Sequence, residues 1–250
     1  RFGTDMLGSA VAAGRLTLEY AYGLTGADGL RFGDELVRIG FKGGRPARLA
    51  PPHAYVECHI EQGPVLAQQG YAIGVVTGVQ AISWQKITLH GRSAHAGTTP
   101  TELRIDAALA AAQIVMHVRQ MVDSGRYGRL RATVGHIDTF PGLPSVVSER
   151  AELTVDLRNP DDGHMAAAEA DLAAFLARLP EYQPGLCVQT DRMAQTDSVP
   201  FDHSLQDTIA AAAKDLGHAT TRLMSGAGHD AQEIAAIAPS AMIFVRGQFD

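Results

Sequence analysis

Four short stretches carry side chains whose types and spacing could do chemistry. In the first, the run Ala54–Cys58 leads into His59-Ile60-Glu61-Gln62-Gly63-Pro64. Alternation puts Tyr55, Glu57 and His59 on one side of an expected strand and Val56, Cys58 and Ile60 on the other. Gly63-Pro64 stops that strand, so an imidazole and an amide sit just beyond its carboxyl end, where α/β sheets keep their ligands. His59 there reads as a metal ligand and Gln62 as a substrate amide, with strand-end decoration as the plainer alternative. The second stretch is Gly91-Arg92-Ser93-Ala94-His95-Ala96-Gly97-Thr98-Thr99-Pro100. An imidazole in such a small-residue loop could donate to a developing oxyanion; otherwise it is a polar turn. Third, Arg158 offers a guanidinium fork for a carboxylate, or a surface ion pair with Asp156 on the same strand face. Fourth, Gly226-Ala227-Gly228-His229-Asp230 precedes a helix, and its glycines permit close backbone approach and leave N–H donors for an anion. An ordinary loop capped by Asp230 is the other explanation.

Elements that must position these groups follow from periodicity. Val65–Gly70 is one or two helical turns closed by glycine, and Ile73–Val76 is a short strand leading to Thr77-Gly78, a candidate hinge, as is the stretch near Gln195-Thr196. From residue 80 to 193 the order is strand (Trp84–His90), helix (Leu103–Met121), strand (Ala132–Ile137), strand (Ala151–Arg158), helix (from Asp161-Asp162 to Pro180) and strand (Leu186–Thr190). This β-α-β-β-α-β order is the ferredoxin-like split βαβ and marks an inserted α+β domain. Residues 1–79 and 194–250 have α/β character. Helix His203–Leu216 places Leu205, Ile209, Ala212 and Leu216 on one face, and the all-apolar Ala241–Val245 suits the middle of a parallel sheet.

Composition narrows the function class. The chain has 250 residues, 46% hydrophobic, with a formal charge of −6 and no basic run, which argues against a nucleic-acid surface. No apolar run is long enough to span a bilayer. The two cysteines, Cys58 and Cys187, are far apart and form no CxxC, which favours reduced thiols and a cytoplasmic setting. Cys58, on the strand side opposite His59, is expected to be a buried structural thiol.

Taken together, His59–Pro64, Gly74-Val75-Val76-Thr77-Gly78, His95–Pro100, Asp156-Leu157-Arg158 and Ser225–Ala231, with Arg1-Phe2-Gly3 and Leu7-Gly8-Ser9, resemble the hydantoinase/carbamoylase branch of the M20 metallopeptidase-like amidohydrolases. That branch holds N-carbamoyl-L-amino acid hydrolases, allantoate amidohydrolases and β-ureidopropionases. The resemblance implies part of a metallopeptidase-like α/β catalytic domain with two divalent ions, Zn or Mn. It also implies that the βαββαβ stretch is a lid that makes a homodimer. By the same resemblance a metal-bound hydroxide attacks a small ureido substrate bearing a carboxylate. His59 is then a metal ligand, Gln62 contacts the ureido group, His95 stabilises the oxyanion from across the dimer, Arg158 clamps the carboxylate, and Gly228 and His229 line the pocket. Ser145 stands where members commonly carry an asparagine that helps hold the carboxylate. By the same resemblance an early His-x-Asp and a later Asp are missing, the paired glutamates, including the general base, are expected just before Arg1 and the final His just beyond Asp250, so residues 1–250 alone are expected to be inactive. The leading reading is hydrolysis of the ureido C–N bond of N-carbamoyl-L-amino acids, with allantoate amidohydrolase or β-ureidopropionase as the alternative within the branch; an M20 peptidase and a non-catalytic dimerising or binding fragment compete from outside it.

Overall fold

Turn and cap chemistry sets three short helices at the start: α1 (Leu7–Ala12), α2 (Leu18–Gly23) and α3 (Phe32–Arg38). Thr17 caps α2 by accepting from Tyr20 N, and Gly40, at φ 74°, ends the turn after α3. The computed structural model describes residue 2 and residues 4–247; Arg1 and Gly3 of the opening string, and Gln248–Asp250, lie outside the described residues. The chain forms two compact units, 1–79 with 199–250, and 80–198.

In the first unit, β1 (Tyr55–Ile60), α4 (Val65–Gln69) and β2 (Ile73–Val79) precede the crossing into the second. The second unit runs β3 (Ala81–His90), β4 (Ala94–His95), α5 (Ala107–Asp123), β5 (Arg131–Phe140), β6 (Val146–Val147), β7 (Arg150–Asn159), α6 (Asp162–Tyr182) and β8 (Cys187–Thr196). The chain then returns through β9 (Val199–Pro200), α7 (His203–Asp215), β10 (Thr220–Ser225), α8 (Asp230–Ile234) and β11 (Ser240–Val245).

The first unit's sheet has the order β1-β11-β2-β10, with β9 on β2. Its apolar middle strand β11 is parallel to β1 but antiparallel to β2, so the sheet is mixed rather than parallel. Leu66, Val76, Met242 and Phe244 form the core on one side. On α7 the buried positions are Gln206, Ile209 and Ala213, while Leu216 is 76% exposed. Gln206 can be interior because its amide donates to Phe201 O at 3.0 Å and accepts from Arg222 at 2.7 Å.

The second unit packs α5 and α6 on one face of an antiparallel sheet ordered β5-β7-β3-β8. Leu153, Val155 and Leu157 face the helices and Glu152, Thr154, Asp156 and Arg158 the other side, as alternation predicts. Asp161 caps α6 by accepting from His164 N at 2.7 Å. Helix α5 starts at Ala107 and not at Leu103, because Asp106 caps it through Ala108 N and Leu109 N. Strand β8 runs to Thr196, so this unit closes at Ser198 and not at residue 193. Thr77-Gly78 is no free joint: Thr77 O accepts from Phe201 N, and a Cβ on Gly78 would lie 2.6 Å from Val199 O. Gln195 and Thr196 are likewise paired, with Ser83 and Ile82.

Cys58 is exposed, contrary to the expectation of a buried thiol. Alternation assigns the faces of β1 correctly, but among the described strands β1 lies at the sheet edge and its Val56/Cys58/Ile60 face is the open one, with Val56 48% and Ile60 50% exposed. Cys187 is exposed too. Both thiols should therefore react with a thiol reagent in the native chain; a protected Cys58 would contradict this placement of β1, and a protected Cys187 that of β8.

Candidate active site

In the first unit the strand side that packs inward carries Tyr55, Glu57 and His59. The His59 Nδ1 lies 2.7 Å from Ile60 O. A carbonyl only accepts, so Nδ1 carries the proton and Nε2 keeps its lone pair, the form in which imidazole binds a metal. No group of three or more His, Cys, Asp or Glu side chains among the described residues is placed to hold a metal ion. A catalytic zinc takes about three protein ligands, so His59 is one donor of a set the described residues do not complete.

Glu61 and Gln62 form the turn that follows. The Glu61 carboxylate accepts from Val65 N and Leu66 N, both at 2.8 Å, and so caps α4 with a negative charge at its amino end. Gly63 makes that possible: a Cβ there would meet Glu61 Oε1 at 2.9 Å. Gln62 is exposed with φ 54°, a left-handed conformation that costs a non-glycine residue roughly 1–3 kcal/mol and is a common mark of functional turns. Gln62→Gly should shift stability by less than about 1 kcal/mol, since strain relief offsets the extra freedom of the unfolded chain. Gln62→Val should cost roughly 1–3 kcal/mol. Urea denaturation of the pair checks this, and equal midpoints would refute the strained turn.

His229 and Gly228 come to the same place from α8's entry loop. The His229 ring packs edge-on against His59, with centroids 4.8 Å apart, and is 4% exposed. Its Nε2 lies 2.9 Å from Ser225 Oγ and its Nδ1 3.6 Å from Glu57 Oε1. Burial, then the neighbouring His59, push its pKa down to about 4, so the ring is neutral at pH 7. At the start of α8 Ala231 N donates to Glu57 Oε2 at 2.7 Å, and His229 rather than Asp230 occupies the cap position.

In the second unit His95 is exposed on β4. Gly97 N and Thr98 N donate to its Nδ1 at 3.1 and 3.2 Å, so the ring proton is on Nε2. His95 thus presents an N–H donor, the polarity an oxyanion needs. Arg104 staples the loop through Ala96 O at 2.6 Å and Thr99 O at 2.9 Å. Ser145 is exposed, and its backbone carbonyl accepts from Ala96 N, tying it to the His95 loop. Arg158 forms a bidentate pair with Asp156, through Nε at 3.0 Å and Nη2 at 2.8 Å, and lies 5.8 Å from the Trp84 ring centroid. The ion pair weighed against a substrate clamp is therefore present, and it holds the fork partly buried on the helix-free face. Glu57, Glu61 and Arg104 carry site geometry that the sequence did not single out. Of these only Glu61, a carboxylate four residues before a helical turn, left a local signal.

Residues 27–250 match the family described as Peptidase family M20/M25/M40. An N-carbamoyl-L-amino-acid amidohydrolase of Rhizobium meliloti is 40% identical over 97% of this chain and 58% of its own length. An allantoate deiminase of Arabidopsis thaliana is 31% identical over 98% of this chain and 52% of its own. The solved structure of an amidase of the hydantoinase/carbamoylase family from Burkholderia multivorans superposes with a TM-score of 0.88 at 39% identity, covering 98% of this chain and 59% of that one. The chain thus spans somewhat over half the length of these relatives.

Proposed function

The chain belongs to peptidase family M20/M25/M40, in its hydantoinase/carbamoylase branch, and on that premise we propose that the whole protein is a metal-dependent amidohydrolase cleaving the ureido C–N bond of N-carbamoyl-L-amino acids. The supporting observation is the opposite polarity of two imidazoles: His59 offers a lone pair at Nε2, and His95 offers an N–H there. One suits a cation and the other a developing oxyanion. Gln62, in its left-handed turn, presents an amide to the ureido group, Arg158 takes the carboxylate, and Gly228 and His229 wall the site.

Amidohydrolases of this family generally use two divalent metals; zinc or manganese is proposed. Bound metal supplies a water acidic enough to attack at neutral pH. Since His59 alone cannot hold it, residues 1–250 by themselves are inactive in this reading. No helix among the described residues is long and apolar enough to cross a membrane, and the two free thiols suit a reducing, cytoplasmic setting. A homodimer through the second unit is supported by the outer edge of β5, which pairs with no described strand, and by exposed Ile137 and Phe140 on it.

The test is a substrate panel on the full-length protein, stripped of metal and reloaded with Zn or Mn. N-carbamoyl-L-amino acids should turn over, their D-forms and dipeptides should not, and two metals should bind per chain. Preference for allantoate would favour the second reading, which the Arabidopsis relative supports. Near-zero metal and no turnover would leave a binding module.

A further inference from the structure

The loop that carries His95 is closed at its base, where Arg92 bridges to Ile105 and Arg92 N donates to Ile105 O at 2.8 Å. Inside it the chain folds back over the imidazole. Thr99 N donates to His95 O at 3.1 Å, while Gly97 N and Thr98 N donate to His95 Nδ1 at 3.1 and 3.2 Å. Gly97 permits the close approach, since a Cβ there would lie 3.3 Å from His95 Cε1. The half-buried Arg104 completes the arrangement. Its Nη2 donates to Ala96 O at 2.6 Å and its Nε to Thr99 O at 2.9 Å. No carboxylate among the described residues pairs with it, so this guanidinium serves backbone carbonyls alone.

The Ala96 carbonyl and the Gly97 N–H are the two ends of one peptide unit. Arg104 grips the oxygen end, and the nitrogen end points at His95 Nδ1. A cation on the oxygen polarises the peptide and strengthens its N–H as a donor. Bonds at both ends also fix the direction of that N–H, and with it the ring that accepts from it. We propose that Arg104 is a positioning residue: through the Ala96–Gly97 peptide it holds His95 as the Nε2–H tautomer and sets where that N–H points. An arginine suits the task because two carbonyls, three residues apart, are bonded by two N–H groups of one rigid plane, which an ammonium lacks. That the aimed N–H serves an oxyanion rests on the functional reading above; the hold on the ring does not.

Kinetics and hydrogen exchange on the full-length protein test this. Arg104→Ala should lower kcat for an N-carbamoyl-L-amino acid roughly 10–100-fold and leave KM within about two-fold, because a misaimed donor is missed in the transition state and not in the ground state. His95→Ala should lose at least as much. The double variant should be no slower than His95→Ala, since a residue that acts through His95 then has nothing to act on. In Arg104→Ala the Gly97 and Thr98 amides should lose protection against exchange. Arg104→Lys, which keeps a cation able to reach one carbonyl, should retain part of kcat, and it carries the same comparison with His95→Ala if Arg104→Ala does not fold. A loss that multiplies with that of His95→Ala overturns the proposal. So does a loss confined to KM, an unchanged kcat, or unchanged protection of the two amides. If the native protein turns over no ureido substrate while Arg104→Ala exposes the two amides, the functional reading has failed and the hold of Arg104 on the His95 loop stands.

Discussion

Arg158→Ala in the full-length protein should lower kcat/KM for a carboxylate-bearing ureido substrate roughly 100-fold, mostly through KM. The fork is one-quarter exposed, so the proposed charge-assisted contact with a substrate carboxylate would be stronger than a surface pair, about 3 kcal/mol when the partner is left unmatched. The structure adds a second cost. Asp156 grips the guanidinium through Nε and Nη2, so removing Arg158 leaves a bare carboxylate where another carboxylate must approach. Repulsion then adds to the lost attraction. Asp156→Asn should act the other way, weakening the competing ion pair and lowering KM, and the double variant should be less impaired than Arg158→Ala. Arg158→Lys should not rescue fully, because an ammonium lacks the planar fork. Steady-state kinetics on a substrate with and without the carboxylate decides this. An Arg158→Ala loss equal for both would remove Arg158 from carboxylate recognition.

The metal-free chain should lose about 2 kcal/mol of stability between pH 6.5 and pH 4 through His229. The ring's pKa is lowered from 6.5 to about 4, chiefly by burial and next by His59. Above pH 6.5 it is neutral in both folded and unfolded chains and contributes no pH dependence. As pH falls below 6.5 the unfolded chain takes up a proton the folded ring refuses, so unfolding is favoured progressively until about pH 4, where the folded ring also protonates and the loss levels off. A shift of this size is worth ~3 kcal/mol unscreened. Exposed Asp230 and half-buried Gly228 border the ring, and solvent screening there trims it to about 2 kcal/mol. Urea unfolding of the native chain and of His229→Gln at pH 7.5, 5.5 and 4.5 isolates the effect. Their stability difference should narrow by about that amount as pH falls; a constant difference would mean that the ring is already hydrated in the folded state.

The His229 prediction depends on contacts that no window of sequence contains. Glu57 and Ala231 are 174 positions apart, yet they share the hydrogen bond that fixes the loop beside His59. The amide of Gln206 looks like a solvent-facing residue on α7 and is fully buried, because Arg222 and Phe201 O satisfy it from outside the helix. The ring protons of His59 and His95 are placed by backbone groups within three residues, but only the chain's path shows that one ring meets a carbonyl and the other two amides.

Residue order alone determined the split βαβ arrangement of the second unit, the alternating faces of β1 and β7, and the caps at Asp161 and Gly70, because side-chain periodicity and cap chemistry act over a few residues. It also determined which side chains could do chemistry and the family they resemble. The tertiary structure decided what covers each face, that β2 runs against β11, that Cys58 faces outward, and that Asp156 rather than solvent holds Arg158. Periodicity says which residues share a face; only packing between distant segments says which face is buried.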